Sequence, residues 1–233
     1  MLVLKSLLYG LYFLKVAGKN YFPVILYLVL TQLIILSTKN IILLLIFFVG
    51  YLVISSPISI NIFRNIIADR EIINNYLYFY NKDYTAVFIK NILKLLFFMV
   101  AIYFAHIVIL SPFFPSDIST ITPYLYGLLI YMIYIYTRVM FVLPTAACGI
   151  TSRLKESYLK TKNKSIKIYI QYICLIVPYL IINIYITSIA KNSDAQFIFL
   201  LIAIILQVIF TVFNSALIAY MYKDYCSLNK SDT

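Results

Sequence analysis

Six apolar stretches, each close to the length of a transmembrane helix, account for most of this 233-residue chain. An apolar helix of about 20 residues crosses the ~30 Å hydrocarbon layer of a membrane, and it satisfies its own backbone hydrogen bonds there. Hydrophobic residues make up 64% of the chain and charged residues 12%, outside the range of soluble domains. The sequence therefore predicts an all-α, polytopic membrane protein with six transmembrane helices. These predicted spans cover about residues 22–38, 41–60, 92–110, 121–142, 168–189 and 195–221.

Lysine and arginine are unevenly divided between the segments that flank the spans. Of the 19 basic residues, only Lys39 and Lys191 lie in the connections after the first, third and fifth spans, and 17 lie in the other segments. Basic residues stay on the cytoplasmic side of a membrane, so we expect both termini in the cytoplasm. The net charge of +11 forms no basic stripe interleaved with aromatic residues, so nucleic acid is not an expected partner.

The chain divides into three parts on this reasoning. Residues 1–20 are predicted to form an interfacial amphipathic helix, because Lys5 and Lys15 fall close together on a helical wheel. Residues 21–222 form the predicted six-helix transmembrane domain. Residues 223–233 form a short cytoplasmic tail.

Two cytoplasmic connections are predicted to form amphipathic helices on the membrane surface. In the first, residues 61–91, polar side chains gather on one side of a helical wheel. In the second, residues 145–167, apolar side chains recur at i, i+4 and i+8. These side chains are Arg64, Glu71 and Asn75 in the first connection, and Ile150, Leu154 and Tyr158 in the second.

Two prolines are expected to disturb the predicted helices. Pro57 follows Ser55 and Ser56 near the end of the second span. Hydroxyl groups or neighbouring helices must then satisfy the backbone carbonyl that the proline leaves free. Pro144 follows the fourth span and should stop or kink that helix, because proline has no N–H and its ring clashes with the preceding turn.

Groups that could carry catalysis are scarce within the predicted spans. None of the eight carboxylates falls inside a span, and His106 is the only histidine. A multi-histidine metal site and a Ser-His-Asp arrangement therefore lack partners. Cys148, Cys174 and Cys226 are far apart and imply neither a disulfide framework nor a zinc site. The sequence predicts a protein that is not an enzyme, with no catalytic residue, metal site or cofactor.

Arg138 is the most deeply placed strong charge in the predicted spans. One interpretation is that its side chain extends to lipid phosphates at the membrane surface. The other is that its planar guanidinium binds one phosphate specifically or pairs with a carboxylate such as Glu71 or Glu156. Four residues are predicted as lipid-phosphate contacts, namely Arg138, Arg153, Lys155 and Lys160.

Arg64 and Arg138 stand at corresponding places in a weak internal repeat. The second span leads through Arg64 into a predicted surface helix and the third span. The fourth span leads through Arg138 into the other predicted surface helix and the fifth span. Repeats of this kind are common in polytopic membrane proteins.

One pattern extends over residues 137–144, Thr137 to Pro144, then Gly149, and then residues 156–163, Glu156 to Asn163. It resembles the pattern of the YciC-type bacterial inner-membrane proteins and of the related membrane domain of some glycerophosphodiester phosphodiesterases. In those proteins an arginine-bearing helix end leads to a proline, a surface helix and a Ser-aromatic-x-x-Thr-x-Gly/Asn stretch. Ala146 to Cys148 depart from the pattern, since an acidic residue often follows the proline. The resemblance implies an architecture more than an activity.

Two functions remain open from the sequence. In the first, a non-enzymatic protein of a bacterial inner membrane organises membrane lipids, anionic phospholipid among them, or membrane protein partners through its basic surface helices. In the second, the protein is a transporter, or a component of a transport complex, for a small or amphipathic solute. Polar side chains within the spans would line the path of that solute. They are Gln171, Asn183, Gln207 and Asn214.

Overall fold

The protein is all-helical, with no strand, over the residues that the structure describes. The structure is a computed structural model that describes residues 1–37, 41–110, 118–150, 153–191 and 196–226. Three short 3₁₀ helices within the described residues each precede an α-helix, namely Gly18–Tyr21, Tyr76–Asn81 and Lys162–Lys164. The α-helices are α1 (Leu2–Ala17), α2 (Phe22–Ser37), α3 (Ile41–Ala68), α4 (Asp83–Leu110), α5 (Ile118–Val139), α6 (Val142–Ala147), α7 (Leu154–Lys160), α8 (Ser165–Lys191) and α9 (Gln196–Cys226).

Five segments of this described chain are long and apolar enough to cross a membrane, which confirms the all-helical, multi-span prediction. They match the predicted second to sixth spans in order. Their bounds are Val49–Ala68, Asp83–Ile109, Gly127–Ala147, Lys162–Ile189 and Gln196–Cys226.

The start of the chain makes the number of membrane-length segments five or six. Helix α1 and the Phe22–Thr31 part of α2 meet the same criterion only as a pair, bent by 98°. The predicted interfacial helix over residues 1–20 coincides with α1, on which Lys5 and Lys15 are exposed. The predicted break at Lys39 lies outside the described residues.

Helix α9 packs against α1, α3 and α8. The Ser59 and Ser215 hydroxyls join α3 to α9 at 2.9 Å. On α1 the buried residues follow helical spacing, so one face of that helix lies in the interior. They are Leu2, Ser6, Gly10, Phe13 and Ala17.

Pro57 lies inside α3, and the carbonyl that it leaves free is satisfied. That carbonyl belongs to Val53, four residues earlier. It accepts hydrogen bonds from the Ser56 hydroxyl at 2.9 Å and from the Tyr80 hydroxyl at 3.2 Å. The prediction that hydroxyl groups compensate for Pro57 is confirmed.

The predicted surface helix over residues 61–91 is wrong as a single helix. Helix α3 continues to Ala68, and the chain then leaves the helix at Asp69, whose φ is +48°. Aspartate tolerates this left-handed conformation better than most residues. The Asn61 side chain then pairs with the Ile73 backbone, donating to its carbonyl at 2.9 Å and accepting from its N–H at 3.1 Å. These bonds hold the non-helical residues 69–75 against α3.

The fourth span is interrupted near Pro144, as predicted, but the break comes before the proline. A proline ring clashes with the carbonyl four residues earlier, here that of Met140, so the chain turns at Met140 and Phe141. Pro144 becomes the third residue of α6, where a missing N–H costs little. All six residues of α6 are buried, and α6 packs against α3 and α4.

The segment of the second predicted surface helix contains only a short α-helix, and its place at a membrane surface stays a prediction. Within residues 145–167, the seven-residue α7 and a 3₁₀ turn lead directly into α8. The Glu156 carboxylate accepts a hydrogen bond from the Arg153 N–H at 3.3 Å, which satisfies one backbone donor at the start of α7.

Candidate functional site

The C-terminal ends of α3 and α9 and the N-terminal ends of α4 and α8 meet at one end of the bundle. The Arg64 guanidinium lies over the Tyr84 ring of α4, 4.2 Å from its centroid. Lys223 in α9 forms a 3.2 Å ion pair with Asp69, which follows α3. Lys164, just before α8, lies against the last turn of α9. These helix ends and the segments next to them hold most of the basic residues, so we name this region the basic end.

Arg138, in the last turn of α5, is buried at the basic end with only 4% of its surface exposed. Its Nε donates to the Thr161 hydroxyl at 2.8 Å, and its Nη2 donates to the Tyr158 carbonyl at 2.7 Å. Its Nη1 donates to the Tyr134 hydroxyl at 3.2 Å. The guanidinium carbon also lies 4.0 Å from the centroid of the Tyr158 ring. Each nitrogen of the guanidinium therefore has a protein acceptor.

The backbone of Arg138 binds the same helix, α7. The Ser157 hydroxyl donates to the Arg138 carbonyl at 3.1 Å, and the Thr161 hydroxyl lies 3.2 Å from that carbonyl oxygen. Ser157 and Thr161 are both buried. The side chain and the backbone of Arg138 thus both hold α7 against α5. We name the five residues that make these contacts the Arg138 junction. Its members are Tyr134, Arg138, Ser157, Tyr158 and Thr161.

A buried cation is costly unless it is paired or fully hydrogen-bonded. Among the described residues, none of the Arg138 acceptors is a carboxylate. Arg138 instead lies at the C-terminal ends of two helices, its own α5 and α7, which supplies the Tyr158 carbonyl. Helix C-termini carry partial negative charge, so the two ends together stabilise the guanidinium.

The same pattern recurs at the basic end, where basic side chains donate to carbonyls in the last turns of helices. Such carbonyls have no partner within their own helix. Lys223 donates to the Ile66 carbonyl at the end of α3, at 2.9 Å. Arg64 donates to the Ala147 carbonyl at the end of α6, at 3.4 Å. Several basic residues therefore complete helix ends.

The structure separates the four predicted lipid-phosphate residues into two kinds. Arg153, Lys155 and Lys160 are exposed on α7, whereas Arg138 is buried beneath it. One interpretation is that Arg138 pairs with a carboxylate such as Glu156. Arg138 does contact this segment, but it donates to the Tyr158 carbonyl and the Thr161 hydroxyl instead. Contact of these four residues with lipid phosphate stays a prediction.

The outer face of α7 mixes basic and apolar side chains. Tyr158 and Leu159 are 43% and 55% exposed, and Arg153, Lys155 and Lys160 are exposed around them. An interfacial helix presents such a face, because its apolar groups enter the headgroup layer while its cations meet lipid phosphates.

The docking face of α7 was not identified from the sequence. The apolar stripe of Ile150, Leu154 and Tyr158 predicts a surface helix without saying where it docks. Ile150 and Tyr158 are exposed, and the buried positions are Ser157 and Thr161. Their i, i+4 spacing, which places two hydroxyls on one helical face, is the signal that could have found them.

Cys148 follows α6 and is half-buried. Burial raises the pKa of its thiol above the ordinary value, and the positive charge of Arg64 offsets this only in part. Since the thiolate is the reactive form, Cys148 is a poor nucleophile at neutral pH.

Several polar groups inside the spans are bonded within their own helix. His106 Nδ1 lies 2.8 Å from the Ile102 carbonyl of its own helix, and its ring lies 4.9 Å from that of Tyr131 on α5. Over the described ranges, no three His, Cys, Asp or Glu residues are grouped so that they could hold a metal ion.

The residues predicted to line a transport path are placed separately on α8 and α9. Gln171 accepts a hydrogen bond from the Tyr225 hydroxyl at 3.2 Å, and Asn183 donates to the Tyr179 hydroxyl at 3.4 Å. Asn214 has a buried side-chain oxygen with no partner in the described part of the chain. A transport path stays a prediction.

Over its described residues the protein is all-helical, with five membrane-length apolar segments, or six if the bent pair of α1 and α2 counts as one. No family model, no curated protein and no solved structure matches the chain. Its function must therefore be argued from its own geometry.

Proposed function

We propose that this is a six-span, non-enzymatic protein of a bacterial inner membrane that retains anionic phospholipids, and membrane proteins associated with them, at its cytoplasmic surface. The observation that carries the proposal is the Arg138 junction, which fixes α7 so that a basic and apolar face points outward. Basic residues near a membrane surface attract anionic lipid by about 1 kcal/mol each.

The orientation in this proposal has the basic end in the cytoplasm, with both termini on that side. The contacts between Lys223 and Asp69 and between Arg64 and Ala147 support it, since they bring together connections that the charge distribution assigns to one side. Anionic lipids are concentrated in the cytoplasmic leaflet, where α7 would meet them.

The resemblance to YciC-type proteins also supports the assignment to a bacterial inner membrane. The residues on which the likeness rests include Arg138, Ser157, Tyr158 and Thr161, which are all members of the Arg138 junction. One motif therefore accounts for both the likeness and the placement of α7.

Native mass spectrometry of the protein in lipid nanodiscs of mixed anionic and zwitterionic phospholipid tests this function. The variant replaces Arg153, Lys155, Lys160 and Lys162 with glutamine. All four side chains are exposed, so the fold should persist. We expect the ratio of bound anionic to bound zwitterionic lipid to fall at least about tenfold, because four attractive charges are lost.

A second variant with the same change in net charge provides the control. It replaces four exposed lysines on α1 and α4 with glutamine, namely Lys5, Lys15, Lys90 and Lys94. We expect a smaller loss of anionic lipid from it. An equal loss from both variants would show that retention follows net charge alone, and unchanged retention by the α7 variant would overturn the proposal.

A further inference from the structure

A polar cavity of about 480 Å³ lies at the basic end, between the last turns of α3 and the residues that follow them. Its volume is within the range of roughly 300–1,000 Å³ that is typical of small-ligand sites. Polar and charged side chains from these segments form much of its wall. They include Asn61, Arg64, Asp69, Arg70, Glu71 and Tyr78.

The wall of this cavity is fixed by hydrogen bonds between α3 and the residues after it. Asn61 makes two bonds with the Ile73 backbone, at 2.9 and 3.1 Å. Asn65 donates to the Arg70 carbonyl, and the Arg70 N–H donates to the Arg64 carbonyl at 3.3 Å. The backbone that carries the charged side chains is thus held before any ligand binds, which lowers the entropic cost of binding.

Arg64 differs from Arg138 in the donors that it leaves available. Both guanidinium groups lie over a tyrosine ring, Tyr84 at 4.2 Å and Tyr158 at 4.0 Å. The three nitrogens of Arg138 all have protein acceptors at 3.2 Å or less. Within the described chain Arg64 donates a single hydrogen bond, from Nη1 to Ala147 at 3.4 Å. Arg64 is also one of the residues that line the cavity.

The charged side chains of the cavity wall are balanced in number. Arg64 and Arg70 supply two positive charges, and Asp69 and Glu71 supply two negative charges. Asp69 is already paired with Lys223, so Glu71 is the carboxylate left for a ligand. Such a wall suits a zwitterion, in contrast to α7, whose exposed cations suit an anion.

We propose that this cavity binds a phosphoethanolamine group. Arg64 and Arg70 hold the phosphate oxygens, because guanidinium groups bind phosphate through paired N–H donors. Glu71 accepts hydrogen bonds from the primary ammonium. A trimethylammonium group has no N–H to donate, so the site discriminates against phosphocholine. This inference does not depend on lipid binding by α7.

The phosphoethanolamine group has two sources, the headgroup of a membrane phospholipid or a soluble phosphodiester. One arm of the test uses nanodiscs of equal parts phosphatidylethanolamine and phosphatidylcholine, and counts retained lipids by native mass spectrometry. The other arm titrates glycerophosphoethanolamine onto the protein in phosphatidylcholine nanodiscs. We expect about a tenfold preference for the ethanolamine compound over its choline counterpart in at least one arm, as one charge-assisted contact distinguishes them.

Two variants, each with a control, test the carboxylate and the guanidinium of the site separately. Glu71→Gln alters an exposed side chain and should abolish the preference for ethanolamine over choline, while Asp224→Asn, an exposed carboxylate on α9, should leave it intact. Arg64→Gln should weaken both ligands, and Lys90→Gln is its exposed control. A preference in either arm that Glu71→Gln removes supports the site and identifies the source. No preference in either arm, or a preference that Glu71→Gln leaves unchanged, overturns it.

Discussion

At the scale of single residues, several basic side chains of this protein donate hydrogen bonds to the ends of helices. Arg138 and Lys223 each donate to a carbonyl in the last turn of a helix other than their own. A carbonyl at such a position lacks a partner within its helix. Arginine is suited to the buried position, because its rigid fork reaches several acceptors at once and stays charged at any physiological pH. In a lysine ammonium, by contrast, all three donors are on a single nitrogen.

Replacing Arg138 should release α7 from the bundle. In Arg138→Gln the Tyr158 carbonyl and the Thr161 hydroxyl lose their charged donor, and we expect the free energy of unfolding to fall by about 2–4 kcal/mol. The free energy of unfolding of Arg138→Lys should lie between those of Arg138→Gln and the wild type. Thermal unfolding in detergent measures the change, and trypsin cleavage within α7 should accelerate.

Arg153→Gln is the matched control, since Arg153 is exposed at the start of α7. Its unfolding free energy should stay within about 0.5 kcal/mol of the wild type. Cleavage at Lys155 and Lys160 that remains slow in Arg138→Gln would contradict the role of the junction.

At the scale of elements, the contact of α1 with α9 depends on a glycine. Gly10 lies on the buried face of α1, where an added Cβ would overlap the Phe213 ring of α9. A glycine in the interior of a helix is unfavourable in itself, so its presence fits a need for close approach. The Tyr9 and Tyr220 rings meet edge-on beside it, with centroids 6.1 Å apart.

Gly10→Ala should therefore destabilise the protein despite the better helix propensity of alanine. We expect a loss of about 1–3 kcal/mol from overpacking, measured by thermal unfolding. Gly127→Ala is the control, because a Cβ at Gly127 in α5 meets no atom within 4 Å. Gly10→Ala should lower the free energy of unfolding by less when Phe213→Ala is also present. An equal loss with and without Phe213→Ala would contradict the contact.

Helical periods and apolar lengths could be predicted from the sequence, but bonds between distant segments could not. Apolar length alone identified five of the membrane-length segments, since burial in lipid is a property of each segment. The non-helical residues 69–75 depend on the bonds between Asn61 and Ile73, which no helical wheel shows. The docking of α7 depends likewise on Arg138 meeting residues about 20 positions later.

At the scale of the whole molecule, the bend between α1 and α2 determines the topology. If the bent pair crosses the membrane, there are six crossings and the N-terminus lies on the same side as the basic end. If it does not cross, there are five, and the two termini lie on opposite sides. The packing of α1 against the long helix α9 favours the first arrangement.

A peptide tag at the N-terminus should therefore be protected from protease in intact cells whose outer membrane has been made permeable, and it should be cleaved after lysis. In the same cells, a cysteine replacing Lys191 should react with a membrane-impermeant maleimide, whereas one replacing Lys160 should not. The chain with its three native cysteines replaced by serine is the background for labelling. An N-terminal tag that is cleaved in intact cells would indicate five crossings.

The acceptors of the two arginines come late in the chain. Arg64 donates to Ala147, 83 residues onward, and Arg138 donates to Thr161, 23 residues onward. Because a chain emerges from the ribosome N-terminus first, each arginine reaches the membrane before its partner has emerged. Water and lipid headgroups must solvate it in the interval. The stretch from Ala147 to Thr161 then supplies both partners, so its emergence sets the moment at which the two arginines can be paired.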